Sequence, residues 1–191
     1  MRKGIANDPL RKEKIASATL DLLGEGGIRA VTHRTIAERA GMSLGSLTYH
    51  YASLDDIFVA AFELMAEQMD PRYYQSIIDA GSPAEARHVL VDAICGSRRA
   101  TQRELRLHRE LYAYGTNSPR VQDLIRSAEQ RSIDALSTHF PEPAARALDA
   151  LVEGWWIYQS WNPDKPLDRD TVANAVNALA GVSAHQSIEQ R

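Results

Sequence analysis

Val31-Thr-His-Arg-Thr-Ile-Ala-Glu-Arg-Ala-Gly-Met-Ser-Leu-Gly-Ser-Leu-Thr-Tyr-His-Tyr51 decides the fold of the head of this chain. Thr32 has the chemistry of an N-cap, and Ile36, Ala37 and Ala40 recur at helical spacing behind it. Gly41 supplies the positive φ that a tight turn requires. Ser43 caps a second short helix, in which Leu47 and Tyr51, four residues apart, share the inner face. The opposite face carries Ser46, Thr48, Tyr49 and His50, polar groups for which a core has no use. Two short helices, a glycine turn and a polar second helix form the layout of a helix-turn-helix, whose second helix lies in a DNA major groove.

The flanks continue the pattern. Asp8-Pro9 is suited to open a first helix, with Ile15, Ala18, Thr19, Leu22 and Leu23 as its apolar stripe and Gly26-Gly27 as its stop. Ile28 and Val31 return apolar side chains to the core. Ser53-Leu-Asp-Asp56 reads as a capping box, with acids where the helix dipole favours them. Behind it Ile57, Phe58, Ala61, Phe62, Leu64 and Met65 describe a long connecting helix that Asp70-Pro71 is expected to end.

The rest of the chain has the same period. Ser82, Thr101 and Ser118 each stand before a helical run. Pro143 to Trp161 is a strongly apolar helix, and Asp168 leads into a last one through Val172, Val176 and Leu179. No segment shows sustained strand alternation. The predicted fold is therefore all-α: an N-terminal three-helix helix-turn-helix domain plus a larger helical domain, with about nine main helices.

Charge is uneven. Residues 1–51 hold 8 Lys and Arg against 5 acids, whereas the whole chain of 191 residues carries 22 against 25. A basic head on an acidic remainder favours phosphate at one end. The single cysteine, Cys95, excludes an internal disulfide framework and reads as a buried small residue in a reducing compartment. No apolar run is long enough to span a membrane, and the N-terminus lacks the apolar core of a signal peptide. The expected location is cytoplasmic. No metal-ligand spacing, glycine-rich phosphate loop or nucleophile motif occurs, so no metal, cofactor or enzymatic activity is expected.

Ile15 to Leu23 with Gly26 and Ala30-Val-Thr32, then Ile36-Ala-Glu-Arg-Ala-Gly41, Leu47-Thr-Tyr-His-Tyr51 and Ser53-Leu-Asp-Asp-Ile57, together closely resemble the N-terminal domain of the tetracycline-repressor (TetR) family of bacterial transcriptional regulators. The resemblance covers residues 9–69. It implies a DNA-binding domain with connecting helix over 9–69 and a helical ligand-binding and dimerisation domain over 70–191. It also implies a DNA-contacting set of Thr32, His33, Arg34, Ser43, Leu44, Gly45, Ser46, Thr48, Tyr49 and His50. Arg34, Leu44, Gly45 and Thr48 would face base edges, and Ser46, Tyr49 and His50 would hold phosphates. Two positions depart from the family: Thr48 stands where tyrosine is usual, and Leu54 where lysine usually adds a phosphate contact. Arg2, Lys3, Arg11, Lys12 and Lys14 are candidates to compensate through a basic arm.

By the same resemblance, the partners are double-stranded operator DNA, a second copy of the chain joined through the last two long helices, and a small-molecule effector that releases a repressor from a palindromic site. Trp155, Trp156 and Trp161, with Tyr158, leave the penultimate helix apolar around most of its circumference, as a helix buried on two sides requires. Tyr73, Tyr74, His88, Arg106, His108, Arg109, Tyr112, Tyr114 and Trp156 are candidates for a mainly apolar effector pocket with a few polar anchors. Of these, Tyr74, His108, Tyr112 and Trp156 form the chosen set. The competing reading is a helical dimeric interaction module without DNA binding.

Overall fold

The computed structural model describes residues 9–181, apart from the side chains of residues 9 and 69–72. The expected cap at Asp8, the arm with Arg2 and Lys3, and the tail beyond Gly181 lie outside the described residues. The elements are α1 (Pro9–Gly26), a 3-10 turn (Ile28–Ala30), α2 (His33–Arg39), α3 (Leu44–His50), α4 (Leu54–Ile78), α5 (Pro83–Cys95), α6 (Gln102–Gly115), α7 (Pro119–Ser137), α8 (Glu142–Trp161) and α9 (Arg169–Leu179). Every described element is helical, and each of the α-helices matches one expected from periodicity.

The local reasons are visible at the caps. Thr32 Oγ1 accepts from Thr35 N–H, Ser43 Oγ from Ser46 N–H, Ser82 Oγ from Glu85 N–H and Asp168 from Thr171 N–H. At Thr101 the exchange is reciprocal: Glu104 N–H donates to Thr101 Oγ1 at 3.2 Å and Thr101 N–H donates to Glu104 Oε2 at 2.7 Å. Pro71 does not end α4, which continues to Ile78. A proline removes one helical hydrogen bond and disfavours helix before it, but tertiary packing further along the segment outweighs that local cost.

The chain divides into two compact units. The first joins the chain up to Gln68 with Arg106–Ile125, and the second joins Met69–Leu105 with the chain from Arg126 onward. The compact unit that contains the head thus also takes in Arg106–Ile125. Its core holds Ile15, Leu23, Ile36, Leu47, Ile57 and Phe62, all essentially inaccessible. Thr19 fits the apolar stripe of α1 because its hydroxyl donates to Ile15 O at 2.8 Å. From α6, Arg106 donates to Glu25 O at 2.6 Å, Glu110 Oε2 accepts from Ile28 N–H at 3.1 Å, and Tyr114 donates to Asp55 at 2.6 Å. Residues 106, 110 and 114 are four apart and form one ridge of the helix.

In the second unit α5 packs mainly on α9, and both touch α8. Ile77, Leu90, Ile94, Leu136, Leu148 and Val172 fill the interior. Polar ties cross it: Gln159 Nε2 donates to Ile94 O at 2.8 Å, and Arg169 pairs with Asp92 at 2.8 Å. Cys95 is half-buried rather than fully buried, its thiol directed to Val91 O at 3.3 Å.

Asp149 of α8 is 7% exposed. Burial raises its carboxyl from the ordinary value of 3.8 to about 6, and the charges of Glu153 and Glu129 push in the same direction against the Ser132 hydroxyl. The folded state therefore prefers the protonated acid. No penalty exists below about pH 4, where the group is protonated folded or unfolded. The penalty grows as pH rises towards 6 and is complete above it, at about 3 kcal/mol. Asp149→Asn should match the parent protein in denaturant unfolding near pH 4 and exceed it in stability near pH 7.5. A variant less stable than the parent at pH 7.5 would show that the carboxylate is compensated in the fold.

Candidate nucleic-acid interface and ligand cavity

The turn between α2 and α3 is built by two hydrogen bonds. Gly41 N–H donates to Glu38 O at 3.1 Å and Met42 N–H donates to Ala37 O at 3.0 Å. With Gly41 at φ 63°, this is a Schellman closure of α2. It lets Ser43 start α3 two residues later. Ala37 and Ala40 are buried at this corner, and their small side chains let the helices approach closely. Leu47 is fully buried, while Tyr51 is half-buried and its hydroxyl lies 3.4 Å from Lys12 O. One face of α3 is thereby fixed on α1.

The other face is open. Leu44 and Tyr49 are 51% and 68% exposed. Gly45 and Thr48 are exposed beside them. A Cβ added at Gly45 would meet no atom of the protein within 4 Å. Thr48 Oγ1 donates back to Leu44 O at 3.2 Å. Ser46 is half-buried and accepts from Arg11 at 3.4 Å. His50 is half-buried, stacked edge-on with Tyr49 at 5.4 Å, and its Nδ1 has no hydrogen-bond partner among the described residues. On α2, Thr32 and Arg34 are exposed and His33 is half-buried. Arg34 Nε bonds Glu38 Oε1 at 2.9 Å, an exposed pair four residues apart, which contributes little stability and exchanges readily. The hydroxyls of Thr32 and Ser43 are engaged in capping, so these two residues act on the helix ends first.

A family model for bacterial regulatory proteins of the tetR family matches residues 15–68. The crystal structure of SCO7518 from Streptomyces coelicolor A3(2), provisionally assigned as a transcriptional regulator, is 33% identical, covers 90% of this chain and 99% of its own, and superposes with a TM-score of 0.80. The chain belongs to the TetR family. The multidrug binding protein EbrR, solved with imidazole, is 28% identical, with 94% of this chain and 99% of its own covered and a TM-score of 0.74. EbrR has also been solved with ethidium, with proflavin and with malachite green. The transcriptional regulator BetI of Stenotrophomonas maltophilia is 27% identical over 165 residues, 82% of this chain and 83% of its own. This chain is accordingly a TetR-type, helix-turn-helix DNA-binding regulator of transcription. No described helix is long and apolar enough to cross a membrane.

The candidate pocket residues separate. Tyr73 and Trp156, with ring centroids 5.7 Å apart, line a cavity of about 50 Å³ with Val89, Ala93, Arg98, Ala100 and Glu104. Tyr74 packs edge-on against Tyr73 at 5.2 Å and donates to Ala128 O at 3.2 Å. His108 is buried and Tyr112 is exposed beside it, their rings 4.8 Å apart; both belong to the first unit, whereas the residues of the Tyr73–Trp156 cavity belong to the second. Of the chosen four, only Trp156 lines that cavity. Arg106 and Tyr114 are committed to Glu25 and Asp55, and His88 is exposed on α5.

Asp149 escaped the sequence reading although its signal was present. It lies between Ala145, Leu148, Val152 and Trp156, all buried on one stripe of α8, so helical phase alone places it inside.

The open space at Gly45 generates a test. Gly45→Ala should leave the fold intact or stabilise it by up to about 1 kcal/mol, because alanine is the better helix former. The same methyl should weaken operator binding by about tenfold, near 1.4 kcal/mol, if the α3 backbone lies against DNA. Thermal unfolding and a mobility-shift titration read the two effects separately. Unchanged DNA affinity would remove Gly45 from the interface.

Proposed function

We propose that the chain is a dimeric repressor that reads a palindromic operator through α2 and α3 and leaves it when a small molecule binds the second unit. The observation that carries the DNA reading is the exposed face of α3, held by a glycine turn and offering Leu44, Gly45, Thr48 and Tyr49 with nothing of the protein over them. Arg34 stands at the start of α2 on a pair it can exchange for a guanine. With its hydroxyl returned to the helix, Thr48 offers its methyl to a thymine methyl. Tyr49, Ser46 and His50 are placed for phosphate oxygens, which position without carrying sequence.

Two features support a dimer. Tyr158 and Trp161 of α8 are 44% and 67% exposed, and Leu179 of α9 is 36% exposed. Leu151, Trp155 and Tyr158 follow i, i+4, i+7 spacing, one face of α8. Pairing α8 and α9 with their two-fold mates would cover this face and give two recognition helices about 34 Å apart, one turn of DNA. The Tyr73–Trp156 cavity supports a ligand site, by analogy with the small molecules bound to EbrR. Helices α4, α6 and α7 each continue from one unit into the other, which supplies the covalent route for coupling. Coupling requires that the ligand prefer one of two conformations.

Equilibrium sedimentation should give a dimer at micromolar concentration; a persistent monomer would remove the palindrome argument. Footprints on the chain's own promoter region separate the roles of the head residues. Arg34→Ala should relax base preference at one position per half-site, at a cost of about 1–3 kcal/mol. Tyr49→Phe should weaken binding evenly across sequences. Wild-type affinity in both variants would reject the assigned face.

A further inference from the structure

We infer that the second unit holds a second ligand site, a polar cleft at the end of α8 that takes a small polyhydroxylated anion, a sugar acid or a sugar phosphate. The site is distinct from the Tyr73–Trp156 cavity and does not depend on the effector reading above.

The cleft measures about 360 Å³, against about 50 Å³ for the aromatic cavity, and so reaches the size of ordinary small-molecule sites. Its walls are the end of α5 at Cys95, the segment from Arg99 into the start of α6, the end of α8 at Gln159 and Asn162, and the turn that leads to α9. All of these belong to the second unit. Pro163 and Pro166 in that turn each have φ locked by the ring, and Lys165 N–H donates to Asn162 O at 3.1 Å. The wall is therefore formed before any ligand arrives, which lowers the cost of binding.

Two carboxamides decide what the cleft accepts. Gln159 is 9% exposed, and its Nε2 donates to Ile94 O at 2.8 Å. Only the nitrogen of a carboxamide can donate, so this bond fixes the orientation and leaves Oε1 as the open end. Oε1 accepts from no described residue, yet it is not sealed from solvent. Asn162 repeats the arrangement: Nδ2 donates to Tyr158 O at 2.9 Å and Oδ1 has no described donor. Two acceptors at one site call for a ligand that brings hydroxyl donors.

The charged groups call for an anion. Arg99 and Lys165 line the cleft, and neither side chain has an acidic partner among the described residues. No acid lines it. The acids of the bordering elements are turned elsewhere: Asp92 pairs with Arg169, Glu104 caps α6 and Asp168 caps α9. Asp164, on the same turn as Lys165, does not line the cleft. A bare anion would leave both carboxamide oxygens without donors, and a neutral sugar would leave both cations unmatched. A hydroxylated carboxylate or phosphate satisfies all four groups, with the stronger bonds at the charged end.

Three sugars on one ring test the class: glucose, glucuronate and glucose 6-phosphate. Acetate and inorganic phosphate carry the charge without the hydroxyls. Calorimetry on the full chain should show at least one sugar anion binding about tenfold or more tighter than glucose and than its own simple anion. The tighter of the two sugar anions tells a carboxylate site from a phosphate site. Raising salt from about 50 to 500 mM should weaken the sugar anions and leave glucose unchanged. The double variant Arg99→Gln, Lys165→Gln should bind the sugar anions no better than glucose. Both side chains are exposed, so this variant keeps the fold, as circular dichroism checks. Gln159→Met should bring the sugar anions down towards acetate and phosphate. Cys95, the single cysteine of the chain, lines the same cleft and reports the location. Burial pushes its thiol up, so alkylation is followed at about pH 9, where a bound sugar anion should slow it. Sugar anions no tighter than glucose, simple anions equal to their sugar counterparts, unchanged affinity in the double variant, unprotected Cys95, or no binding of any probe would each overturn the proposal.

Discussion

A three-helix head is too small to hide its own core. A domain of about 60 residues buries only about 60% of the surface its unfolded chain exposes, and here Phe58 and Phe62 need cover that α1, α2 and α3 do not supply. Tyr114 provides it, with ring centroids 4.8 and 6.1 Å from those of Phe58 and Phe62. Its hydroxyl reaches Asp55, and Arg120 from the start of α7 pairs with Asp56 at 2.6 Å. The Arg120 guanidinium and the Ser53 hydroxyl hold the Asp56 carboxyl below its usual range. The acids that begin α4 are therefore used twice, for the helix dipole and for docking α6 and α7. The orientation of α3 depends on this, because α3 runs directly into the cap at Ser53.

What the sequence made legible was local. Thr32, Ser43, Ser82, Thr101 and Asp168 act on backbone groups within three residues, so their chemistry is complete in a short window, and each caps as expected. The same holds for Gly41, whose positive φ belongs to one turn. Pro71 was misread for the complementary reason: its local cost is real, but what keeps α4 intact lies outside the window. That Arg106–Ile125 shares a compact unit with the head was hidden in the same way. Arg106 and Tyr114 stood among the pocket candidates and Glu110 was not singled out, because helical spacing places the three on one ridge without saying what the ridge faces. The exposed face of α3 was legible because a core leaves polar side chains of that helix with nothing to do. The pocket was not, because aromatic residues serve cores and cavities alike, and Tyr112 and Trp156 cannot be told apart by spacing.

Asp149 shows that the fold carries an acid where its charge is disfavoured. Replacing it with a neutral isostere is expected to stabilise the protein at neutral pH, because the burial that disfavours its charge does not penalise an amide to the same extent. Glu25 makes the contrast: its carboxylate is exposed and satisfied by both terminal nitrogens of Arg39, at 2.9 and 2.6 Å. One acid is placed where water and a guanidinium welcome its charge, the other where neither does.

All three tryptophans of the chain, Trp155, Trp156 and Trp161, lie on α8. They occupy three environments, half-buried, buried and exposed. The tryptophan emission of the protein is thus a signal from one helix, the head contributing only tyrosine. Any change in that emission when operator DNA is added must have been transmitted through the chain to α8 rather than arise at the contact. The molecule carries a built-in optical probe on the helix that the proposed coupling would have to reach.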